Sequence, residues 1–416
     1  MLAVLHADGI VGSLRQAGAT LEFTYAAHWL ARQNAFPLSP RLPLREAPWQ
    51  DDEVLFFFSN LLPEGTVLES LLRLQRLPRG NVYRLLEAFG RECAGAFAVV
   101  PEAEAGDGLR EGSYREYTRQ QLVEDLERLR GDIPLLGSHA GLRLSLAGAQ
   151  NKIPVRYAKG KLWLPERGAA STHILKPALQ PARMYPHSVE NEAFCLQLAG
   201  ALGLPVPQVT VLADPEPLLL IERYDRSVKG GRIERLHQLD LCQLTGALPS
   251  QKYESDGGPG FKACFAVVDA WSAMPAVDRL RLVDWMLLNY LLGNADAHGK
   301  NLSMLYGSDG RLRLAPVYDL LAIGYWERLS TKMAMKIGGE RRPDFVQARH
   351  WQRFCEEIGL NAAQLRRRAL ELCAHALARK DDIMAALGVP APLAGHLART
   401  LQKGSERIET RLGVNG

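Results

Sequence analysis

Leu291-Leu-Gly-Asn-Ala-Asp-Ala-His-Gly-Lys-Asn301 follows an apolar run from Leu280 to Leu292 and gathers an acid, an imidazole, an ammonium and an amide within six residues. Asp296 and Asn301 stand five apart, with His298 two after the acid. Eighteen residues after Asn301 comes Asp319, in Pro316-Val-Tyr-Asp-Leu320. A plain reading competes with a chemical one. Asn, Asp, His, Gly and Lys are ordinary turn residues, and a turn after a helix uses them for capping. What lies upstream has to decide.

The D-x-x-x-x-N spacing is that of a protein-kinase catalytic loop, in which the Asp accepts a hydroxyl proton and the Asn holds a metal. D-x-H-x-x-N looks like the variant of phosphoinositide-type kinases, and Asp319 falls where a second metal-holding Asp is wanted. Upstream, Arg143-Leu-Ser-Leu-Ala-Gly-Ala-Gln-Asn-Lys152 carries small residues at Ala147, Gly148 and Ala149. They would let backbone N–H groups approach a phosphate. The stretch is neither a Walker A loop nor G-x-G-x-x-G, and a tight turn between strands explains it equally. Ile153–Tyr157 and Leu162–Leu164 then flank Ala158-Lys-Gly-Lys161 as a hairpin. Thr172-His-Ile-Leu-Lys-Pro177 reads as a third strand ending in Lys176, like the V-A-I-K strand of kinases. Val189–Leu202 reads as a helix with Glu190 and Glu192 in its first turn, either able to pair with Lys176. Two strands follow, Val209–Leu212 and Pro217–Ile221, ending in Glu222-Arg-Tyr-Asp225. Each piece alone has a structural explanation. Their order is that of a kinase N-lobe running into a hinge.

The rest of the chain frames this core. With 416 residues it is long enough for two or three domains, and a net charge of +4 permits contact with phosphate or nucleic acid without arguing for it. Six scattered cysteines with no C-x-x-C pair read as reduced, buried thiols of a cytoplasmic protein. No apolar run approaches the roughly 18 residues of a membrane span. Short strands at Met1–Leu5, Ile10–Arg15 and Leu21–Tyr25, helices at Asp52–Leu62 and Tyr83–Ala88, and a strand at Ala94–Val100 suggest a small α/β unit with no assigned chemistry. Small and acidic residues from Glu102 to Gly108 mark a boundary. An amphipathic helix spans Thr118–Leu129. Beyond Leu236 the pattern is mostly helical. It includes a helix beginning within His237–Gln243, a hairpin at Met304–Tyr306 and Leu312–Leu314, and helices near Asp344–Ile358, Ala362–Leu377, Asp382–Leu387 and Leu393–Ile408. Arg366, Arg367, Arg368, Arg399, Lys403, Arg407 and Arg411 make this end basic, which a solvated helical surface explains better than DNA contact. The expected fold is α+β and bilobal, protein-kinase-like. It has a subdomain at 1–107, an N-lobe at 108–225 and a helical C-lobe at 226–416.

These residues resemble the HipA family, the serine/threonine kinase toxins of bacterial HipBA toxin–antitoxin modules. The likeness runs through Asn60-Leu-Leu-Pro63, Ser145-Leu-Ala-Gly-Ala-Gln150 with Lys152, Thr172-His-Ile-Leu-Lys176, Asn191-Glu192, Glu222-Arg-Tyr-Asp-Arg226, Lys252-Tyr-Glu-Ser-Asp-Gly-Gly-Pro-Gly260, Asp296-Ala-His-Gly-Lys-Asn301 and Tyr318-Asp319. The resemblance implies roles. Asp296 would be the catalytic base, and Asn301 and Asp319 would hold magnesium. Lys176 would bind ATP phosphates, and Ala147, Gly148, Ala149, Gln150, Asn151 and Lys152 would form the phosphate loop. Glu222, Arg223 and Tyr224 would line the adenine pocket, and His298, Lys300 and Tyr318 would also contact nucleotide. Ser145 would be autophosphorylated, shutting the kinase down, since a dianion beside the phosphate loop competes with ATP for the same donors. The implied substrates are aminoacyl-tRNA synthetases, glutamyl-tRNA synthetase above all. The implied partner is a HipB-like helix-turn-helix antitoxin, with operator DNA reached only through the toxin–antitoxin complex. Two other readings stay open. A small-molecule or lipid kinase fits D-x-H-x-x-N, although no basic amphipathic element adjoins the cleft motifs. A non-catalytic, DNA-bound corepressor would bind ATP without turning it over.

Overall fold

The computed structural model describes all residues except 19, 79, 107, 108, 110, 111, 132, 134, 136–149, 231, 308 and 414–416. The chain opens with an antiparallel sheet of order β3-β2-β1-β4, built from β1 (Leu2–His6), β2 (Gly9–Ala17), β3 (Thr20–Tyr25) and the later β4 (Ala98–Pro101). Between β3 and β4 run α1 (Ala27–Leu30), α2 (Asp52–Ser59), α3 (Gly65–Gln75) and α4 (Val82–Phe89). Asp51 and Asn81 cap α2 and α4 by accepting the N–H groups of Glu53 and Arg84. The aromatic run of α2 splits by helical spacing: Phe57 and Phe58 go into the core against the sheet.

The second unit is a six-stranded antiparallel sheet of order β5-β7-β6-β8-β10-β9. Its parts are β5 (Ser113–Glu116), α5 (Arg119–Arg130), β6 (Ile153–Ala158), β7 (Lys161–Glu166), β8 (His173–Pro177), α6 (Ser188–Ala201), β9 (Val209–Leu212) and β10 (Leu218–Glu222). Side chains alternate across a strand, and here the alternation sorts the lobe. Leu175, Leu218 and Leu220 join Leu122, Leu126 and Leu129 of α5 on one face. Leu219 and Ile221 meet Val189 and Ala193 of α6 on the other. Lys176 lies opposite Leu219 in the β8–β10 register and so projects to the α6 side.

A hairpin of β11 (Arg226–Lys229) and β12 (Arg232–Arg235) leads into the last unit. There β13 (Gln238–Asp240) pairs with β14 (Ser303–Tyr306), which pairs with β15 (Leu312–Leu314). The helix expected from His237 therefore starts later. Residues 238–240 are strand, and α7 (Leu241–Thr245) begins after Asp240, whose carboxylate caps it. The helices are α8 (Phe261–Trp271), α9 (Pro275–Leu292), α10 (Ala348–Ile358), α11 (Ala362–Leu387) and α12 (Ala391–Gly413). Two helices expected within 362–387 are one. Ala378-Arg-Lys-Asp-Asp382 is polar but contains no breaker, and it forms a solvated helix face. Helix α9 is buried along most of its length. It ends at Gly293, in the left-handed conformation at φ +65° that terminates helices, and so delivers Asn294–Asn301 to the interface between the lobes.

One continuous apolar core runs from the first sheet through Phe194, Leu196 and Leu198 of α6 to Leu372 of α11 and Leu401 of α12. Helix α6 is thus buried on two sides, by the N-lobe sheet and by the helical lobe.

Candidate active site

The lobes and the N-terminal unit enclose a cleft of about 700 Å³. Its upper wall carries Ile174 and Lys176 from β8, and Ile221, Glu222 and Tyr224 from the end of β10. Its floor carries Asp296, His298, Lys300 and Asn301 from the turn after α9, with Tyr318 and Asp319 beyond β15.

Lys176 is the electrostatic centre. Its buried ammonium donates to Glu192 Oε1 at 2.6 Å and to Asp319 Oδ1, while Lys152 Nζ lies 4.0 Å from Asp319 Oδ2. Of the two candidate glutamates, Glu192 is therefore the partner. Burial disfavours the Lys176 charge, but Asp319 and Glu192 outweigh it and raise the lysine above its ordinary value. Burial likewise works against an Asp319 anion, yet Lys176 and Lys152 hold the carboxyl well below the usual range. Burial raises Glu192 and lowers Lys152. Asp319 sits at φ +52°, a left-handed conformation that Asp tolerates better than most residues, and the turn returns its carboxylate to the lysine.

On the floor, Asp296 is exposed, and its carboxylate Oδ1 accepts the Tyr253 hydroxyl. Asn301 Nδ2 donates to the Asp296 carbonyl at 2.8 Å, and no hydrogen bond to Asn301 Oδ1 is made among the described residues. The neutral form of His298 dominates. Burial lowers its pKa to about 4, its ring meets Tyr253 edge-on at 5.1 Å, and its buried Nδ1 has no partner among the described residues. Tyr318 donates to the Lys300 carbonyl at 2.7 Å, and its ring stacks on Tyr224 at 5.7 Å.

Several expected contacts fall elsewhere. Gln150 and Lys152 line the cleft, but Asn151, between them, does not, because alternate residues of the segment entering β6 face opposite ways. Arg223 reaches the cleft at the β10 end, yet its guanidinium turns away to Asp225 (2.7 Å) and Glu92 (3.3 Å). Glu92 also takes Arg235 at 2.6 Å and Arg226 at 3.4 Å, and the Gly95 N–H donates to Asp225 at 2.9 Å. Lys300 is engaged by protein oxygens. Its ammonium meets the Asn60 carbonyl (3.0 Å), Asn60 Oδ1 (2.8 Å), Asp240 (3.1 Å) and Glu64 (3.3 Å). A nucleotide would have to compete with that set. Ser145, Ala147, Gly148 and Ala149 lie outside the described residues. Asn60, Glu64, Asp240 and Tyr253 come to the cleft without having been singled out. Asn60 and Tyr253 had a signal, their places in the Asn60–Pro63 and Lys252–Gly260 stretches that carry the family resemblance.

The donor set fits magnesium held jointly with phosphates. That ion takes one or two protein carboxylate or carbonyl oxygens and completes its shell with phosphate and water. Asn301 Oδ1 and Asp319 supply such oxygens. No group of three or more His, Cys, Asp or Glu side chains among the described residues could hold a metal by itself.

A sheet lobe whose strand lysine binds a helix glutamate, set over a helical lobe whose loop carries Asp and Asn, defines a divergent protein-kinase-like fold. Residues 144–380 match the HipA-like C-terminal domain and residues 2–100 the HipA N-terminal domain. The chain is 41% identical over 404 residues to the putative kinase Y4mE of Sinorhizobium fredii, covering 94% of each chain. It is 32% identical over 353 residues to the serine/threonine-protein kinase toxin HipA of Shewanella oneidensis, covering 81% of this chain and 79% of that one. HipA in the solved complex of the Shewanella oneidensis HipA, HipB and operator DNA superposes with a TM-score of 0.84 at 29% identity, covering 99% and 98% of the two chains. The chain belongs to the HipA family and is a kinase of that type.

Proposed function

We propose that this chain is a toxin kinase that transfers the γ-phosphoryl group of ATP to a serine or threonine of a protein. The observation that carries the reading is the Lys176 bridge between Glu192 and Asp319, with Asp296 and Asn301 in the same cleft. ATP with magnesium, when bound, supplies the transferable group and the cation that neutralises its phosphates. Lys176, preset by two carboxylates, orients phosphate oxygens. Asn301 Oδ1 and Asp319 hold the cation. Asp296 accepts the proton of the acceptor hydroxyl. Tyr224 and Ile221 cover the base. Catalysis on this reading is positioning plus electrostatics.

The proposal extends to biology. The substrate is an aminoacyl-tRNA synthetase such as glutamyl-tRNA synthetase, and its modification stops translation and growth in the cytoplasm. Phosphorylation of Ser145 silences the kinase. A HipB-like antitoxin neutralises it and carries it to operator DNA. Support comes from the family and from the superposed complex of HipA, HipB and operator DNA. Among the described residues no helix is long and apolar enough to cross a membrane. The test is Asp296→Asn. Purified wild type incubated with [γ-³²P]ATP labels itself, and the variant does so at least about a hundredfold more slowly. Labelling at the wild-type rate refutes the assignment.

A further inference from the structure

The stretch Lys252–Gly260 is the longest sequence feature that the proposed chemistry leaves unused, and it lies directly under the catalytic turn. The Lys252 carbonyl accepts the Gly299 N–H at 3.2 Å. Pro259 sits so near Gly299 that a Cβ there would lie 2.5 Å from Pro259 Cγ. Gly258 crosses the Gln251 carbonyl with similar closeness; a Cβ would lie 1.7 Å from that oxygen. Glu254, just after Tyr253, accepts the Lys336 N–H at 2.6 Å. The near end is tied to the N-terminal unit, because Lys252 Nζ meets Glu64 Oε2 at 3.0 Å. Glu64 also meets Lys300 of the catalytic turn at 3.3 Å. The segment is therefore held at the residues on either side of Tyr253.

Tyr253 projects from this brace into the cleft. Its hydroxyl donates to Asp296 Oδ1, and its ring stands at 90° to His298 with centroids 5.1 Å apart. The Asp296 backbone is held from elsewhere, its N–H by Asn294 Oδ1 at 3.2 Å and its carbonyl by Asn301. Neither contact fixes rotation of the carboxylate. Tyr253 does, and a hydrogen bond to Oδ1 leaves Oδ2 open to a second donor.

We propose that Tyr253 is a positioning residue for Asp296: it locks the carboxylate so that Oδ2 faces the incoming acceptor hydroxyl. Glu64, through Lys252, anchors the brace, which makes the N-terminal unit part of the machinery. This rests on the kinase reading above. A carboxylate free to rotate spends most of its time misaligned, and misplacement on this scale lowers the chemical step without weakening nucleotide binding.

The experiment compares wild type, Tyr253→Phe and Tyr253→Leu in the full chain. Single-turnover transfer from [γ-³²P]ATP is measured to the protein itself and to myelin basic protein. Binding of a fluorescent ATP analogue and the melting temperature are recorded alongside. The expected result for Tyr253→Phe is a tenfold or larger fall in the maximal rate, with nucleotide affinity and melting temperature at wild-type values, because the ring and its packing on His298 remain. An unchanged maximal rate in Tyr253→Phe overturns the proposal. So does a defect seen only in Tyr253→Leu, which would mean that the ring packs and the hydroxyl does nothing. If wild type transfers phosphate to neither acceptor, the kinase reading fails and takes this inference with it. If wild type is active and Tyr253→Phe matches it, only the positioning role fails.

Discussion

Replacing Glu92 by Gln tests how the N-terminal unit is joined to the hinge. Glu92 is 7% exposed, and Arg223, Arg226 and Arg235 converge on its carboxylate at 3.3, 3.4 and 2.6 Å. Asp225 is the other acid in the cluster, facing Arg223 at 2.7 Å and Arg226 at 2.9 Å. Three cations and two anions leave this pocket at +1, and Glu92→Gln takes it to +2 while keeping the side-chain volume. Stranding a buried charge by removing one partner costs about 3–5 kcal/mol. Three arginines share this one carboxylate, so the loss belongs at the upper end. An exposed pair gives the contrast. Arg115 and Glu166 stand 2.8 Å apart with side chains 40% and 39% exposed, and Arg115→Ala should cost below about 1 kcal/mol. Urea unfolding followed by tryptophan fluorescence at 50 mM and 500 mM salt reads both variants. The Glu92→Gln loss should persist at high salt, since buried pairs are screened little. A loss below about 1 kcal/mol would refute the view that this cluster is a structural joint.

Two further outcomes follow from the same kind of accounting. His298 and His237 are buried, and burial lowers their pKa values to about 4 and about 3, so each is neutral in the fold and protonates near 6.5 when unfolded. Their contribution is full above about pH 6.5 and fades as the pH falls toward 4, at up to about 1.4 kcal/mol per pH unit for each residue; melting temperatures that stay level from pH 7 to 5 would contradict this. Asn191 accepts the Ala322 N–H at 2.8 Å and donates to the Ala322 carbonyl at 3.2 Å, so Asn191→Leu orphans two buried groups just after Asp319. It should cost about 2–4 kcal/mol by chemical denaturation, and a neutral result would show that water or another group replaces the amide.

Much of the architecture could be read because it is written locally. Short apolar runs marked β6, β8 and β10, amphipathic spacing marked α5, and the first turn of the next helix offered Glu190 and Glu192 as partners for Lys176, of which the fold selects Glu192. What escaped notice depends on distant partners. The hairpin Arg226–Lys229 and Arg232–Arg235 has almost no apolar alternation, and its first and last arginines are held by Glu92, more than a hundred residues away. Gln238–Asp240 looked helical because α7 follows it at once; pairing with Ser303–Leu305 makes it strand. Asn60 and Glu64 sit in an ordinary helix-breaking turn, and their burial against Lys300 comes from a contact across 240 residues. Arg223 has the composition of a cleft residue, yet only the fold shows that its guanidinium faces the other way.

Helix α6 belongs to two cores at once, with Val189 and Ala193 against the sheet and Phe194, Leu196 and Leu198 in the core shared with the helical lobe. Swinging it outward would expose these side chains at about 1.5–3 kcal/mol for each large one. The Lys176–Glu192 pair, whose glutamate it carries, is therefore a weld rather than a clutch. An enzyme assembled this way arrives from the ribosome already engaged, and any brake on it has to be applied somewhere other than this helix.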